Sequence, residues 1–177
     1  MKERMKLSRR LFFIFVFVSS LGILLMTASC ASRTGWDSRP TYSFGFDLRY
    51  DKQHAEILDY WYGKSRTNWR LHAEEDLVKE GKTLLFEGVT GPMEAGGLLY
   101  VKWRDTETKT VYEDTVDLRN RLPKNMEDHE IYLMIKGSQL YVYLVSPERR
   151  PTNMPSNGPH IYRSQIVTTI YPDHVED

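Results

Sequence analysis

The chain has 177 residues, and its 24 Lys and Arg balance 24 Asp and Glu. Residues 1–29 hold five basic side chains and one acid, so without them 19 basic residues face 23 acidic ones, a net charge of −4. The remaining 148 residues fit one ordinary domain with room for a packed core, lack the basic, aromatic-interleaved patch of a nucleic-acid binder, and have a single cysteine, which excludes a disulfide framework.

In chain order, Lys2, Arg4, Lys6, Arg9 and Arg10 precede LFFIFVFVSSLGILLMTA, Leu11 to Ala28, which carries no charge. A basic start and an apolar run form the pattern of a secretory signal. The run approaches the length of a membrane span, so a retained anchor is the competing reading. The order Thr27-Ala28-Ser29-Cys30, with small residues before the thiol and no basic cluster after it, favours cleavage. It resembles the lipobox of bacterial lipoproteins, with Thr27 where that family usually has Leu. The resemblance implies that residues 1–29 are a lipoprotein signal peptide and that Cys30 is lipidated with palmitate-type chains. It also implies a place in the cell envelope facing the periplasm, with Ala31 after the cysteine favouring the outer membrane. Two or more acyl chains anchor a protein durably. Residues 30–40, ending at Pro40, then form a lipid-anchored tether of roughly 30 Å when fully extended.

Residues 41–177 read as one β-rich globular domain. In TYSFGFDLRY, Tyr42, Phe44, Phe46 and Leu48 recur with period two, the mark of a half-buried strand. EILDYWYG, Glu56 to Gly63, is a second β-prone run. TNWRLHAEEDLVKEG, Thr67 to Gly81, predicts a short helix with Asn68 as cap, acids early and Gly81 behind. TLLFEGV from Thr83, GLLYVKWRD from Gly97 and TETKTVYEDTVDL from Thr106 predict strands, with turns over TGPMEAGG and one helical turn over RNRLP, for which Asp117 is a cap candidate. EIYLMIK and QLYVYLV, joined by Gly137-Ser138, form a hairpin with two apolar faces, which places it at a sheet centre covered on both sides. After the loop Ser146 to His160, YRSQIVTTIYP supplies the last strand. The expected fold is mainly β: a single-domain antiparallel β-sandwich or partly open barrel with one or two short helices.

Patterns for chemistry are sparse. His54, His72, His129, His160 and His174 show no metal-ligand spacing, and neighbours in Asp128-His129-Glu130 point to opposite faces if they lie on a strand. Glu113, Asp114 and Asp117 could pair as acid and base, but carboxylates at a strand end are more often solvated or capping. No GxSxG, GxGxxG or P-loop occurs. The expectation is a non-enzyme with no cofactor and no metal. Eleven Tyr and four Trp suit a core or a binding surface. Trp103 reads as core, and of the consecutive Tyr60, Trp61 and Tyr62 at least one must face outward from a strand.

The runs GPMEAGGLLYVKWRD, EDTVDLRNRLP and QLYVYLVSPERR, within Gly91 to Arg150, resemble the type VI lipase immunity proteins, lipoproteins of type VI secretion gene clusters. TTIYPD gives a weaker echo, and Thr41 to Gly81 carries none of the likeness. The resemblance implies a periplasmic immunity protein that binds and neutralises a secreted phospholipase effector, held to its membrane by the lipid. Loops of a β-scaffold are the natural contact carriers. The candidate partner-binding residues are Pro92, Met93 and Glu94 in the loop Thr90 to Gly97, and Arg149, Arg150, Asn153 and Met154 in the loop Ser146 to His160. An outer-membrane structural or assembly lipoprotein, and an aromatic-rich module binding a glycan or lipid, are the alternatives.

Overall fold

Alternation along TYSFGFD sets the first wall of the core. The computed structural model describes residues 38–63 and 70–173. The signal segment, Cys30, most of the tether, the cap candidate Asn68 and His174 lie outside the described residues. The chain divides between Asp37 and Ser38 into two compact units, and every described residue belongs to the second.

Strand β1 (Thr41–Asp47) turns Tyr42, Phe44 and Phe46 inward, and Leu48 follows them into the core. In β2 (Ala55–Gly63) the inward set is Ala55 and Ile57, then Tyr60 and Tyr62. The change from odd to even positions comes from a β-bulge between Ile57 and Asp59, which inserts one residue and flips the facing of everything after it. Trp61 is therefore the outward member of its aromatic triplet. Rings from the two strands meet in the core: Phe44 stacks on Tyr62 at 5.0 Å between centroids, and Phe46 meets Tyr60 edge-on at 5.5 Å.

The remaining elements are β3 (Arg70–His72), α1 (Glu75–Lys79), β4 (Phe86–Pro92), β5 (Leu98–Asp105), β6 (Val111–Asp117), β7 (Glu130–Lys136), β8 (Gln139–Arg149), a short 3-10 turn (His160–Tyr162) and β9 (Gln165–Tyr171). They form a five-stranded sheet in the order β4-β1-β7-β8-β9 and a four-stranded sheet in the order β3-β2-β5-β6. The architecture is mainly β, with two sheets that fit a sandwich or an open barrel, as the spacing of short strands and turns predicts. One pair departs from the antiparallel expectation: β1 and β7 run parallel, because the whole four-stranded sheet is threaded between them in sequence.

Local boundaries moved where pairing overrode propensity. Arg70–His72 is a strand rather than part of a helix, since it pairs with Trp61 to Gly63, and α1 keeps only one turn and a half. Strand β4 starts at Phe86 rather than Thr83 and runs through Pro92, into the expected turn, because β1 offers partners as far as Thr41. Leu84 instead makes an isolated bridge to Ile57 of the other sheet.

The layers are also joined by polar side chains. Trp103 of β5 is fully buried, and its Nε1 donates to the Gly137 carbonyl in the β7–β8 turn at 3.0 Å. At the β6 and β9 edges the Tyr171 hydroxyl donates to Asp114 at 2.6 Å, and Arg121 donates to the Ile170 carbonyl at 2.8 Å. Beyond Leu133, where pairing with β1 ends, the Ile135 N–H finds no strand. It donates instead to the buried Gln53 Oε1 at 2.7 Å, while Gln53 Nε2 donates to the Asp47 and Tyr50 carbonyls. One amide thus substitutes for a missing strand. Gln53→Leu is expected to leave the Ile135 donor buried without an acceptor and to lower stability by about 1–3 kcal/mol, measured as a shift in the urea midpoint at constant slope.

Candidate partner-binding surface

The connection from β4 to β5, residues 93–97, is fastened from beneath. Gly96 N–H donates to the Tyr62 hydroxyl oxygen at 2.8 Å, the Tyr62 and Tyr42 hydroxyls lie 2.8 Å apart, and Tyr42 donates to the Glu94 carbonyl at 2.7 Å. Because the Tyr42 proton goes to Glu94, Tyr62 must donate to Tyr42. The chain of bonds therefore has one direction, and each hydroxyl in it both donates and accepts. Burial pushes the Tyr62 hydroxyl up to about 12, against the lowering by the bond it accepts from the Gly96 N–H. Burial, with the Tyr62 neighbour, carries Tyr42 further up, so both phenols stay protonated at neutral pH.

This fastening corrects one expectation. Met93 is only 2% exposed and belongs to the core, its N–H donating to the Pro40 carbonyl at 3.0 Å, so its side chain is not available to a partner. Pro92 is exposed, Glu94 is half-buried, and Ala95, which was not among the candidates, completes the outward tip. No local pattern separates Met93 from its neighbours, because the tyrosines that set the loop's conformation lie far away in sequence.

The loop after β8 behaves differently from a free connection. Strand β8 continues to Arg149, which pairs with Gln165 past a bulge, and the chain then lies as a strap across the outer face of the five-stranded sheet. Pro159 is buried, Tyr162 meets Tyr132 edge-on at 5.1 Å, and the Tyr162 hydroxyl donates to Glu130 at 2.5 Å. His160 N–H reaches the Asp51 carboxylate. The positive φ of Gly158 places its backbone close against Tyr143 and Val167, where a Cβ would collide with Val167. This strap covers the second apolar face of the β7–β8 hairpin. Arg150 clips it, donating to the carbonyls of Arg163 and Met154, whereas Arg149, Asn153 and Met154 are exposed.

The two segments share an end of the fold. The registers Thr41↔Pro92, Ser43↔Glu130 and Glu130↔Val145 put the end of β4 and the outgoing part of β8 on one side, with only β1 and β7 between them. At about 4.8 Å per strand step, roughly 15 Å separates them, close enough for one partner of standard interface size to touch both.

A third surface lies on the outer face of the four-stranded sheet. Trp61 stacks on Tyr100 at 6.1 Å, Tyr100 donates to Glu113 at 3.0 Å, and Arg104 pairs with Glu56 at 2.8 Å. Tyr100 was not singled out from sequence, although alternation in GLLYVKWRD places it opposite the buried Trp103.

The polar residues considered for chemistry do not converge. His129 Nδ1 sits 2.9 Å from the Glu127 carbonyl, Asp128 occupies a positive-φ turn position, and Glu130 turns to Tyr162. Glu113 is engaged by Tyr100, Asp114 by Tyr171 and Asp117 by Arg119. Asp117 accepts the Arg119 N–H as the turn after β6 requires, and the guanidinium bond holds its carboxyl down at about 2. Among the described residues no three His, Cys, Asp or Glu side chains lie close enough to hold a metal ion. No protein-family model, curated protein or solved structure matches the chain.

Proposed function

We propose that the protein is a membrane-anchored periplasmic immunity protein that binds and neutralises a secreted type VI phospholipase effector. The observation that supports this reading most is the Gly91 to Gly97 segment. The run that carries the resemblance is also a loop fastened to the core by the Tyr42–Tyr62 chain, with Pro92, Glu94 and Ala95 presented outward. A loop already ordered before binding avoids most of the entropy cost of association, which an inhibitor that must hold its target needs. Arg149, Asn153 and Met154, at the same end, extend the contact, and Arg150 positions them through the strap.

Lipidation at Cys30 and a short tether confine the domain near the surface that a lipase attacks. Confinement raises the effective concentration of inhibitor where the enzyme arrives. Binding at this end acts by covering the enzyme, and no covalent step is involved.

The decisive experiment is to identify a phospholipase effector gene adjoining this one and to co-express its product in the periplasm with and without the protein. Lysis should be suppressed by the wild-type chain, and equal lysis in both cultures rejects the proposal. Cys30→Ser should abolish labelling by a palmitate analogue. Paired substitutions Pro92→Lys and Arg149→Glu should weaken effector binding by about tenfold or more while leaving the melting curve in place.

A further inference from the structure

Strand β4 ends the five-stranded sheet, and among the described residues β1 is its only strand neighbour. The direction of its backbone groups follows from the ladder. Leu48 N–H donates to the Leu85 carbonyl and Met93 N–H to that of Pro40, so with the observed register residues 85, 87, 89, 91 and 93 bond toward β1. Phe86, Gly88 and Thr90 therefore point their N–H and C=O groups away from the sheet. The Gly88 N–H agrees, being taken by the Glu87 side chain at 3.1 Å rather than by β1.

Natural edges are usually defended by lysines, bulges or inward charges. This one has no lysine and no bulge, and its proline stands only at the end; its one charge, Glu87, lies on the inward face in register with Phe46 and turns its carboxylate back to the Gly88 N–H. Phe86 is 58% exposed on the outer face, beneath the Arg49 guanidinium at 4.4 Å. Gly88, beside it on that face, has no positive φ, and nothing lies within 4 Å of where its Cβ would be. Nothing within the chain requires glycine here, as also at Gly91, and at Gly88 the open face leaves room for a side chain from a neighbouring strand.

We propose that two copies of the chain pair antiparallel along β4 about a two-fold axis at Gly88. In this register Phe86 faces the second copy's Thr90, Glu87 its Val89 and Gly88 its Gly88. Each outward N–H then finds a carbonyl, and Pro92 falls beyond the ladder. The strand's only carboxylate opposes valine rather than its own copy, so no like charges meet. The exposed Phe86 ring lies diagonal to the second copy's Gly88, within reach of an aromatic side chain, and covers the space that a side chain there would occupy. The second copy's Gly88 carbonyl displaces the Glu87 carboxylate from the Gly88 N–H. The two five-stranded sheets become one continuous sheet, and the β4–β5 connection, residues 93–97, lies beyond the paired residues 86–90. This pairing does not depend on the identity of any neutralised enzyme.

The test uses the full chain in detergent micelles, with sedimentation equilibrium across a concentration series. A monomer–dimer equilibrium is expected for the wild type. Gly88→Lys, which sets two ammonium groups against each other on the axis, should raise the dimer dissociation constant by about tenfold or more. In a Cys30→Ser background, Gly88→Cys should give a disulfide-linked dimer when diamide takes up the two electrons and two protons of the thiols. Both substitutions point into open space, so unchanged melting curves identify folded variants. A wild type that is monomeric throughout, or a dimer that Gly88→Lys leaves intact and Gly88→Cys does not trap, overturns the proposal.

Discussion

Trp103→Ala is expected to lower the unfolding free energy by about 3–5 kcal/mol, the largest loss expected from a single truncation among the described residues. The indole is 1% exposed and is the largest fully buried side chain among the described residues. It packs 5.8 Å from Tyr112 across the neighbouring strand, and it donates across the two sheets to Gly137. Removing it opens a cavity between two sheets that cannot close, because each is held by its own ladder. It also leaves the Gly137 carbonyl without its donor. Trp103→Phe separates the two contributions. Keeping most of the bulk but not the N–H, it should cost about 1–2 kcal/mol. Urea denaturation followed by circular dichroism measures both, with an unchanged slope showing that the same surface is exposed. Equal losses for the two variants would mean that the hydrogen bond, not the volume, ties the sheets together.

Much of this core is legible in one dimension. Alternation in TYSFGFDLRY names Tyr42, Phe44, Phe46 and Leu48 as one face, and all four are buried. The double-faced apolar pattern of EIYLMIK and QLYVYLV places that hairpin mid-sheet, and β7 and β8 are its third and fourth strands. These signals are local, set by pleat geometry acting on neighbouring residues. The losses are all non-local. Inward facing in β2 changes parity at a bulge whose cause is its register against β5, some forty residues away. Arg70–His72 carries helix-compatible residues and becomes a strand because β2 has a free side.

The candidate surface divides in the same way. The sequence identifies both loops as turn-rich, and Pro92, Arg149, Asn153 and Met154 are indeed at the surface. Which neighbours turn inward depends on partners the chain brings from elsewhere. Met93 is drawn under by the Tyr42–Tyr62 chain, and Arg150 is drawn onto Arg163 and Met154 by the return of the strap. The strap itself could not be foreseen, since its residues are polar and its hold depends on Pro159, Tyr162 and the positive φ of Gly158.

Gly96→Ala should cost about 3–5 kcal/mol through overpacking together with a broken hydrogen-bond chain, and it should loosen the loop that the proposed function depends on. A methyl group at this position falls well inside van der Waals contact with Tyr62 Cε2, Cζ and Oη. Tyr62 cannot yield, because it is fully buried and lies nearly parallel to Phe44, with an interplanar angle of 5°. The loop must move instead. As it lifts, Gly96 N–H leaves the Tyr62 oxygen and the Glu94 carbonyl leaves Tyr42, so both phenols lose the partners that complete their bonding. Tyr62→Phe breaks the same chain without a clash and should cost less, about 1–3 kcal/mol. Combining the changes tests the coupling: an aliphatic side chain at position 62, lacking the far ring edge and hydroxyl, leaves room for the methyl group, so Tyr62→Leu with Gly96→Ala should lose less than the sum of the single variants. Amide hydrogen exchange at residues 93–97 should accelerate in Gly96→Ala and Tyr62→Phe, while the protection of β7 and β8 remains. If Gly96→Ala melts with the wild type and keeps slow exchange in the loop, the phenol chain is not what holds it.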